Sequence, residues 1–281
     1  MDEPRSARAA AVTPLGRGRN VAPAWCQSFT TMDDRRTATT DAERRAPSAR
    51  RPAVTGGAIE AQRSASIEAR EAVIVVHGLW MPGWETLFLR RRFEAAGYRA
   101  YVFAYSTVGV GLDANADRLA AFADRVPGRR LHFVGHSLGG VLILKLFERH
   151  RVPRASRIVC LGSPLVGTHA GRTLGTSRFG RAVVGRCIQD LLANGGCRTW
   201  AGACELGIIA GDVPLGFGRL LGRLPKPNDG TVAVEETRLA GATEHLVLHC
   251  THFSLLWSPG AAEHVIRFLK AGRFAGTARR G

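Results

Sequence analysis

The sequence predicts a single doubly wound α/β domain with a mostly parallel sheet, over residues 71–275, preceded by a disordered tail over residues 1–70. Three observations carry this. From Ala72 onward short apolar runs alternate with amphipathic stretches of 10 to 15 residues, the texture of strands joined by crossover helices. The runs, such as AVIVV (72–76), are continuously apolar rather than alternating, as strands buried on both faces must be. Before residue 70 the chain is rich in Arg, Ala, Ser, Thr and Pro and keeps no sustained period of 2 or 3.6. With 281 residues and 45% apolar content, the chain is long enough for one large core.

The elements follow in order. After AVIVV, the segment WETLFLRRRFEAAG (84–97) reads as a helix stopped by glycine, and YRAYVFAY (98–105) as a second strand. Leu112, Ala116, Leu119, Ala120 and Phe122 recur at helical spacing over residues 112–126, and Pro127-Gly128 ends that helix. LHFVG is a strand, the stretch from Leu138 to about Arg149 a helix, and RIVCLG (157–162) a strand. Later come ELGIIAG (205–211), a Pro- and Gly-rich loop, a short strand-like run TVAVEE (231–236), the strand HLVLHC (245–250) and a final helix near 261–271.

Composition limits the function classes. The formal net charge of +16 suggests nucleic acid or an anionic membrane, yet it is almost all arginine spread along the chain, with lysine only at 145, 226 and 270. A coding bias accounts for that spread, so no nucleic acid partner is expected. No apolar run approaches the roughly 18 residues a membrane-spanning helix needs, and the first 30 residues lack the apolar core of a secretory signal. The expected compartment is the cytoplasm. Acidic residues in the tail disfavour an organellar transit peptide, and Met32 is an alternative start. The six cysteines (26, 160, 187, 197, 204, 250) form no C-x-x-C pair and read as reduced thiols; a disulfide within 187, 197 and 204 is the alternative for an exported protein.

The chemistry concentrates in LHFVGHSLGGVLILKLF (131–147). In a chain with 33 glycines, G-x-S-x-G alone means little. Here a strand precedes Ser137 and a helix follows it, the sharp strand-to-helix turn that lifts a serine hydroxyl above a sheet edge. Gly135 and Gly139 suit a turn too tight for side chains. The helix starting at Leu138 aims its unpaired N–H groups, that of Leu138 first, at an oxyanion forming beside Ser137. These features assign Ser137 as a nucleophile.

VVHGLW, which ends the first strand, together with GHSLGG resembles the α/β-hydrolase fold, in particular its lipase and esterase branch. The resemblance spans about residues 72–270. It implies that Leu79, after the HG pair, supplies the second oxyanion N–H and that His77 holds that loop. It also implies the order Ser, Asp, His for the remaining groups. Two aspartates compete for the acid. Asp212 follows ELGIIAG, the usual place in this fold, whereas Asp229 sits in PNDGTV, similar to the acid motif of bacterial lipases, and is favoured because Asn-Asp-Gly makes a rigid turn. Of the late histidines 245, 249, 252 and 264, His252 stands just past the last strand, where this family keeps its base.

His245, His249 and His252 also read as an H-x3-H-x2-H metal pattern, but residues along and beyond a strand diverge, so no metal and no cofactor is expected. Residues 167–204 exceed a minimal crossover, and Phe179, Val183, Val184, Ile188, Leu191 and Leu192 give them an apolar face. That face fits a small helical lid or an ordinary crossover helix, and both readings stand. The expected partner is a small-molecule ester or lipid, with peripheral contact to a membrane surface. Acyltransferase and thioesterase chemistry use the same groups, and a non-catalytic Arg-rich binding protein on this scaffold is a further alternative. LVGTHAG after LGSP departs from the lipase pattern, in which a histidine often follows the proline. Oligomeric state is not written in the sequence.

Overall fold

The computed structural model describes residues 70–175, 178–216 and 224–274. Except for Arg70, the expected tail lies outside these, as does Cys26. Six strands form one sheet: β1 (Ala72–Val76), β2 (Arg99–Phe103), β3 (Leu131–His136), β4 (Ala155–Leu161), β5 (Glu205–Gly211) and β6 (Glu244–Leu248). Their order is β2-β1-β3-β4-β5-β6 and every pairing is parallel.

Alternate residues of a strand point to opposite faces, so β1 to β5 each feed two cores, while the edge strand β6 packs into one through Leu246 and Leu248. Ala72, Ile74 and Val76 of β1 join one core, and Val73 and Val75 the other. The first is closed by α2 (Leu112–Arg125), α3 (Leu138–Arg149) and α5 (Arg178–Asn194), through side chains such as Leu119, Leu142 and Ile188. The second is closed by α1 (Leu87–Ala95), α7 (Ser254–Trp257) and α8 (Pro259–Ala271), through Phe93, Leu255 and Phe268. Full burial of both faces of inner strands such as β1 accounts for continuous apolar runs such as AVIVV.

Two elements depart from the sequence reading. The helix expected from Trp84 opens as a 3-10 turn, Trp84–Thr86, and becomes α1 only at Leu87; Gly97, at φ 96°, makes the stop. The strand expected over 231–236 is a turn followed by the four-residue helix α6 (Val234–Thr237). The N–H groups of Thr231 and Val232, which a sheet ladder would need, are taken by the Asp229 carboxylate, and that of Ala233 by Glu236.

Residues 167–204 contain α4 (His169–Gly175) and α5, the latter interrupted at Gly185 (φ 73°, ψ 179°). Val184, Cys187, Ile188 and Leu191 of α5 are buried in the first core. The helix is also tied at its side: the Asp190 carboxylate accepts from the Leu112 N–H at the start of α2 at 2.7 Å, and the Trp80 indole donates to the Val183 carbonyl at 2.9 Å. No helix among the described residues is long and apolar enough to cross a membrane.

The strand order reverses between β1 and β3: β2 lies outside β1 on one side, and β3 to β6 run away on the other. In such sheets the crevice beyond the carboxyl ends at the reversal is the natural ligand site. Here those ends carry His77-Gly78-Leu79 and Ser137. The first turn of α3 crosses beside the end of β1 with no space between them: a Cβ on Gly139 would sit 2.2 Å from the Val76 carbonyl oxygen, and one on Gly135 would sit 2.5 Å from the Gly140 nitrogen. We expect Gly139→Ala to lower the unfolding free energy by about 3 kcal/mol or more in denaturant titrations, since backbone must move to admit the methyl. A loss below about 1 kcal/mol would contradict this packing.

Candidate active site

Ser137 joins β3 to α3 at φ 54°, ψ −123°, a strained backbone for a residue with a side chain. Its N–H donates to the Leu161 carbonyl at the end of β4 at 2.8 Å, which fastens the turn to the neighbouring strand. As the first residue of α3, Leu138 has an N–H with no intrahelical acceptor.

The loop after β1 lies against this turn. A Cβ on Gly78 would approach the Ser137 Cβ to 3.1 Å, so any side chain there would fill the space beside the hydroxyl. The His77 ring fixes the next peptide. Its Nδ1–H donates to the Gly78 carbonyl at 2.9 Å, and its Nε2 accepts from the Tyr105 N–H at 3.2 Å. Tyr105 also stacks on the ring, centroids 4.5 Å apart, and its hydroxyl donates to the His77 carbonyl. Because a peptide is planar and trans, holding the Gly78 C=O sets the direction of the Leu79 N–H on the opposite side of the same bond.

Asp229 and His252 are joined. Oδ2 of Asp229 accepts from Nδ1 of His252 at 2.7 Å, and Oδ1 accepts the N–H groups of Thr231 and Val232 at 2.9 and 2.7 Å. Both residues are buried, and the carboxylate's charge is met by three donors. The Asn228-Asp229-Gly230 turn builds this: Asn228 Oδ1 takes the Gly230 N–H, and Gly230 adopts φ 91°. The main chains are bonded as well, His252 N–H to the Asp229 carbonyl at 2.8 Å. Gly162 packs beneath the pair, its Cβ position 3.1 Å from Asp229 Oδ2 and 3.2 Å from His252 Nδ1. Gly162 directly follows Leu161, the acceptor of the Ser137 N–H, so serine, histidine and aspartate converge on the end of β4.

The competing residues go elsewhere. Asp212 accepts from His249 at 3.0 Å, with the His249 side chain 88% exposed, and does not touch His252. His245 bonds the Thr237 hydroxyl at 2.8 Å. The three histidines of the H-x3-H-x2-H pattern thus have three different partners, and no metal-binding group of His, Cys, Asp and Glu occurs among the described residues. Cys160, Cys187, Cys197, Cys204 and Cys250 are free thiols.

Two groups escaped the sequence reading. Glu236, buried, accepts from the N–H of Ala233 and that of His169 at the start of α4, tying the Asp229 turn to the segment after β4. His136, the residue before Ser137, is buried and donates from Nε2 to the His252 carbonyl at 3.0 Å. The second letter of GHSLGG was the available signal for His136. Glu236 left none.

A profile of the alpha/beta hydrolase family matches residues 73–270, and the chain belongs to that family. A probable esterase, PIR7A, of rice (Oryza sativa) is 33% identical over 115 residues, 36% of this chain; the chain spans less than half of that relative, 43% of its length. Among solved structures, the mature lipase BlEst2 of Bacillus licheniformis superposes with a TM-score of 0.57 at 17% identity, covering 73% of this chain and 93% of that one. Its propeptide form gives 0.59 at 18% identity, covering 75% and 52%. A metagenomic carboxyl esterase, MGS0156, gives 0.50 at 18% identity, covering 66% and 65%.

Burial holds two site histidines neutral. Desolvation lowers the pKa of His77 and takes that of His136 down to about 3, with the neighbouring His252 adding to the latter. The unfolded chain protonates its histidines near 6.5, so this contribution to stability is whole above pH 6.5 and is lost as pH falls from there toward 3. From His136 alone the loss by pH 4 is on the order of 3 kcal/mol. Denaturant titrations from pH 7 to 4 should show it, and His136→Gln should flatten the slope. Equal slopes in both proteins would contradict the assignment.

Proposed function

We propose that the protein is a serine hydrolase that cleaves carboxylic esters of the lipase and esterase kind through an acyl-enzyme. The observation that carries this is the buried Asp229–His252 hydrogen bond set at the strand ends beside the strained Ser137 turn.

In the proposed reaction Nε2 of His252 takes the Ser137 hydroxyl proton as the serine oxygen attacks the ester carbonyl carbon. Asp229, bonded at Nδ1, keeps the proton on that nitrogen, leaves Nε2 free to act as base, and stabilises the imidazolium that forms. The N–H groups of Leu138 and Leu79 receive the oxyanion, one from the unfilled start of a helix and the other from a peptide aimed by His77. Collapse expels the alcohol, protonated by His252. Water, deprotonated by the same histidine, then releases the acid and restores Ser137. No cofactor or metal enters this sequence of steps.

The names of the relatives, esterase and lipase, support ester chemistry. Exposed aromatic rings near the site support a substrate with an apolar part. Trp80 and Trp84, flanking the HG loop, are 55% and 73% exposed, and Trp257, five residues past His252, is 48% exposed. Such amphipathic rings suit contact with a lipid surface.

A fluorophosphonate probe tests the reading without knowledge of the natural ester. Mass spectrometry should place the adduct on Ser137, with none in Ser137→Ala. Labelling should slow by at least about 10³-fold in His252→Ala and by about 10³- to 10⁴-fold in Asp229→Asn. Asp212→Asn should stay within a few-fold of the parent. Folded protein that does not label, or a larger loss in Asp212→Asn than in Asp229→Asn, would overturn it.

A further inference from the structure

We propose that His136 is a positioning residue whose Nε2–H strut to the His252 main chain fixes the base relative to the nucleophile, an inference that rests on the Ser137–His252–Asp229 reading above.

The polar contacts of His252 divide into two groups. Its Nδ1 and its backbone N–H both bond Asp229, within the turn formed by residues 228–232. Those contacts orient the imidazole on its own loop, but they do not attach that loop to Ser137. Among the described residues, the remaining polar contact, from the His252 carbonyl, goes to His136 at 3.0 Å. His136 ends β3 and is covalently followed by Ser137, so a single dipeptide carries both the nucleophile and the strut that holds the base.

The chemistry of the bond fixes the tautomer. A carbonyl can only accept, so Nε2 of His136 bears the proton; in the neutral ring Nδ1 is then a bare acceptor. That Nδ1 is buried and has no hydrogen-bond partner among the described residues. A side chain kept only to fill space would not leave a buried nitrogen unmet when a leucine could pack there without that cost. The ring is itself confined, its centroid 4.7 Å from that of His252 with the planes at 48°, and His77, His252 and Asp229 are the titratable groups acting on it. Protonation would place a cation against the imidazolium that His252 must become, so the strut works only as a neutral donor.

Displacing a reacting group by about 1 Å can cost on the order of 100-fold in rate. The test compares His136→Leu, which keeps bulk and removes the donor, with His136→Gln, whose amide N–H reaches a similar point. Against an activated short-chain p-nitrophenyl ester, His136→Leu should lower kcat by about 10- to 100-fold with KM within about threefold, and fluorophosphonate labelling should slow in parallel. His136→Gln should recover to within about fivefold of the parent, whatever the order of the two variants' melting temperatures. A His136→Leu variant as fast as the parent, or Leu and Gln variants equally slow, would overturn the proposal.

The readings fail separately. If parent protein does not label at Ser137, the hydrolase reading falls, while the strut is still tested by ¹⁵N spectra of the imidazoles in parent and Ser137→Ala protein. His136 should show a protonated Nε2 and a bare Nδ1 throughout pH 5–8. The opposite tautomer, or titration within that range, would overturn the strut on its own.

Discussion

The structure depends on one close approach, that of the first turn of α3 against the end of β1. With Gly139 lying on the Val76 and His77 carbonyls and Gly135 beneath the backbone of residues 139 and 140, no side chain fits between helix and strand. This contact brings the HG loop to Ser137 and forces the serine into its unusual backbone. Strain there is sustained because the Ser137 N–H is bonded to β4 and eight residues of α3 are buried. In the proposed function, the oxyanion donors and the nucleophile are thereby set before any substrate arrives, which is the condition under which fixed dipoles stabilise developing charge.

Charge is handled by the same economy of placement. The Asp229 carboxylate, buried and bonded to His252, has each oxygen engaged, by two backbone N–H groups and by the imidazole. His77 and His136 bring imidazoles to the site without bringing charge, since burial holds both neutral. Of the histidines around Ser137, His77 orients a peptide, His136 bonds the main chain of His252, and His252 alone is paired with a carboxylate in the site.

Much of this was legible in the sequence because it is written locally. Glycine spacing around Ser137, the strand before it and the helix after it are short-range patterns, and burial on both faces of a parallel sheet leaves continuous apolar runs such as AVIVV. Asp229 was preferred over Asp212 on turn chemistry, and the structure shows that the Asn-Asp-Gly turn delivers its carboxylate to His252 while Asp212 pairs with His249. The strand expected over TVAVEE failed for a related reason: the carboxylates of Asp229 and Glu236 had already claimed the N–H groups a ladder needs. What was not legible depends on distant chain segments meeting. The His136 bond to the His252 carbonyl spans 116 residues, and that of Glu236 to His169 spans 67. Neither leaves a periodic trace.

The proposed function requires Ser137, Leu79 and Leu138 to form one preorganised site for an acyl group and its oxyanion. A crystal structure of the protein reacted with a phosphonate inhibitor tests it most directly, because the tetrahedral phosphorus stands where the ester carbon would be attacked. The expected adduct has phosphorus bonded to Ser137 Oγ, one phosphoryl oxygen within about 3 Å of both the Leu79 and Leu138 nitrogens, and Nε2 of His252 within hydrogen-bond reach of Oγ. An adduct on Ser137 whose phosphoryl oxygen turns away from both amides, or a His252 ring that does not reach Oγ, would contradict it.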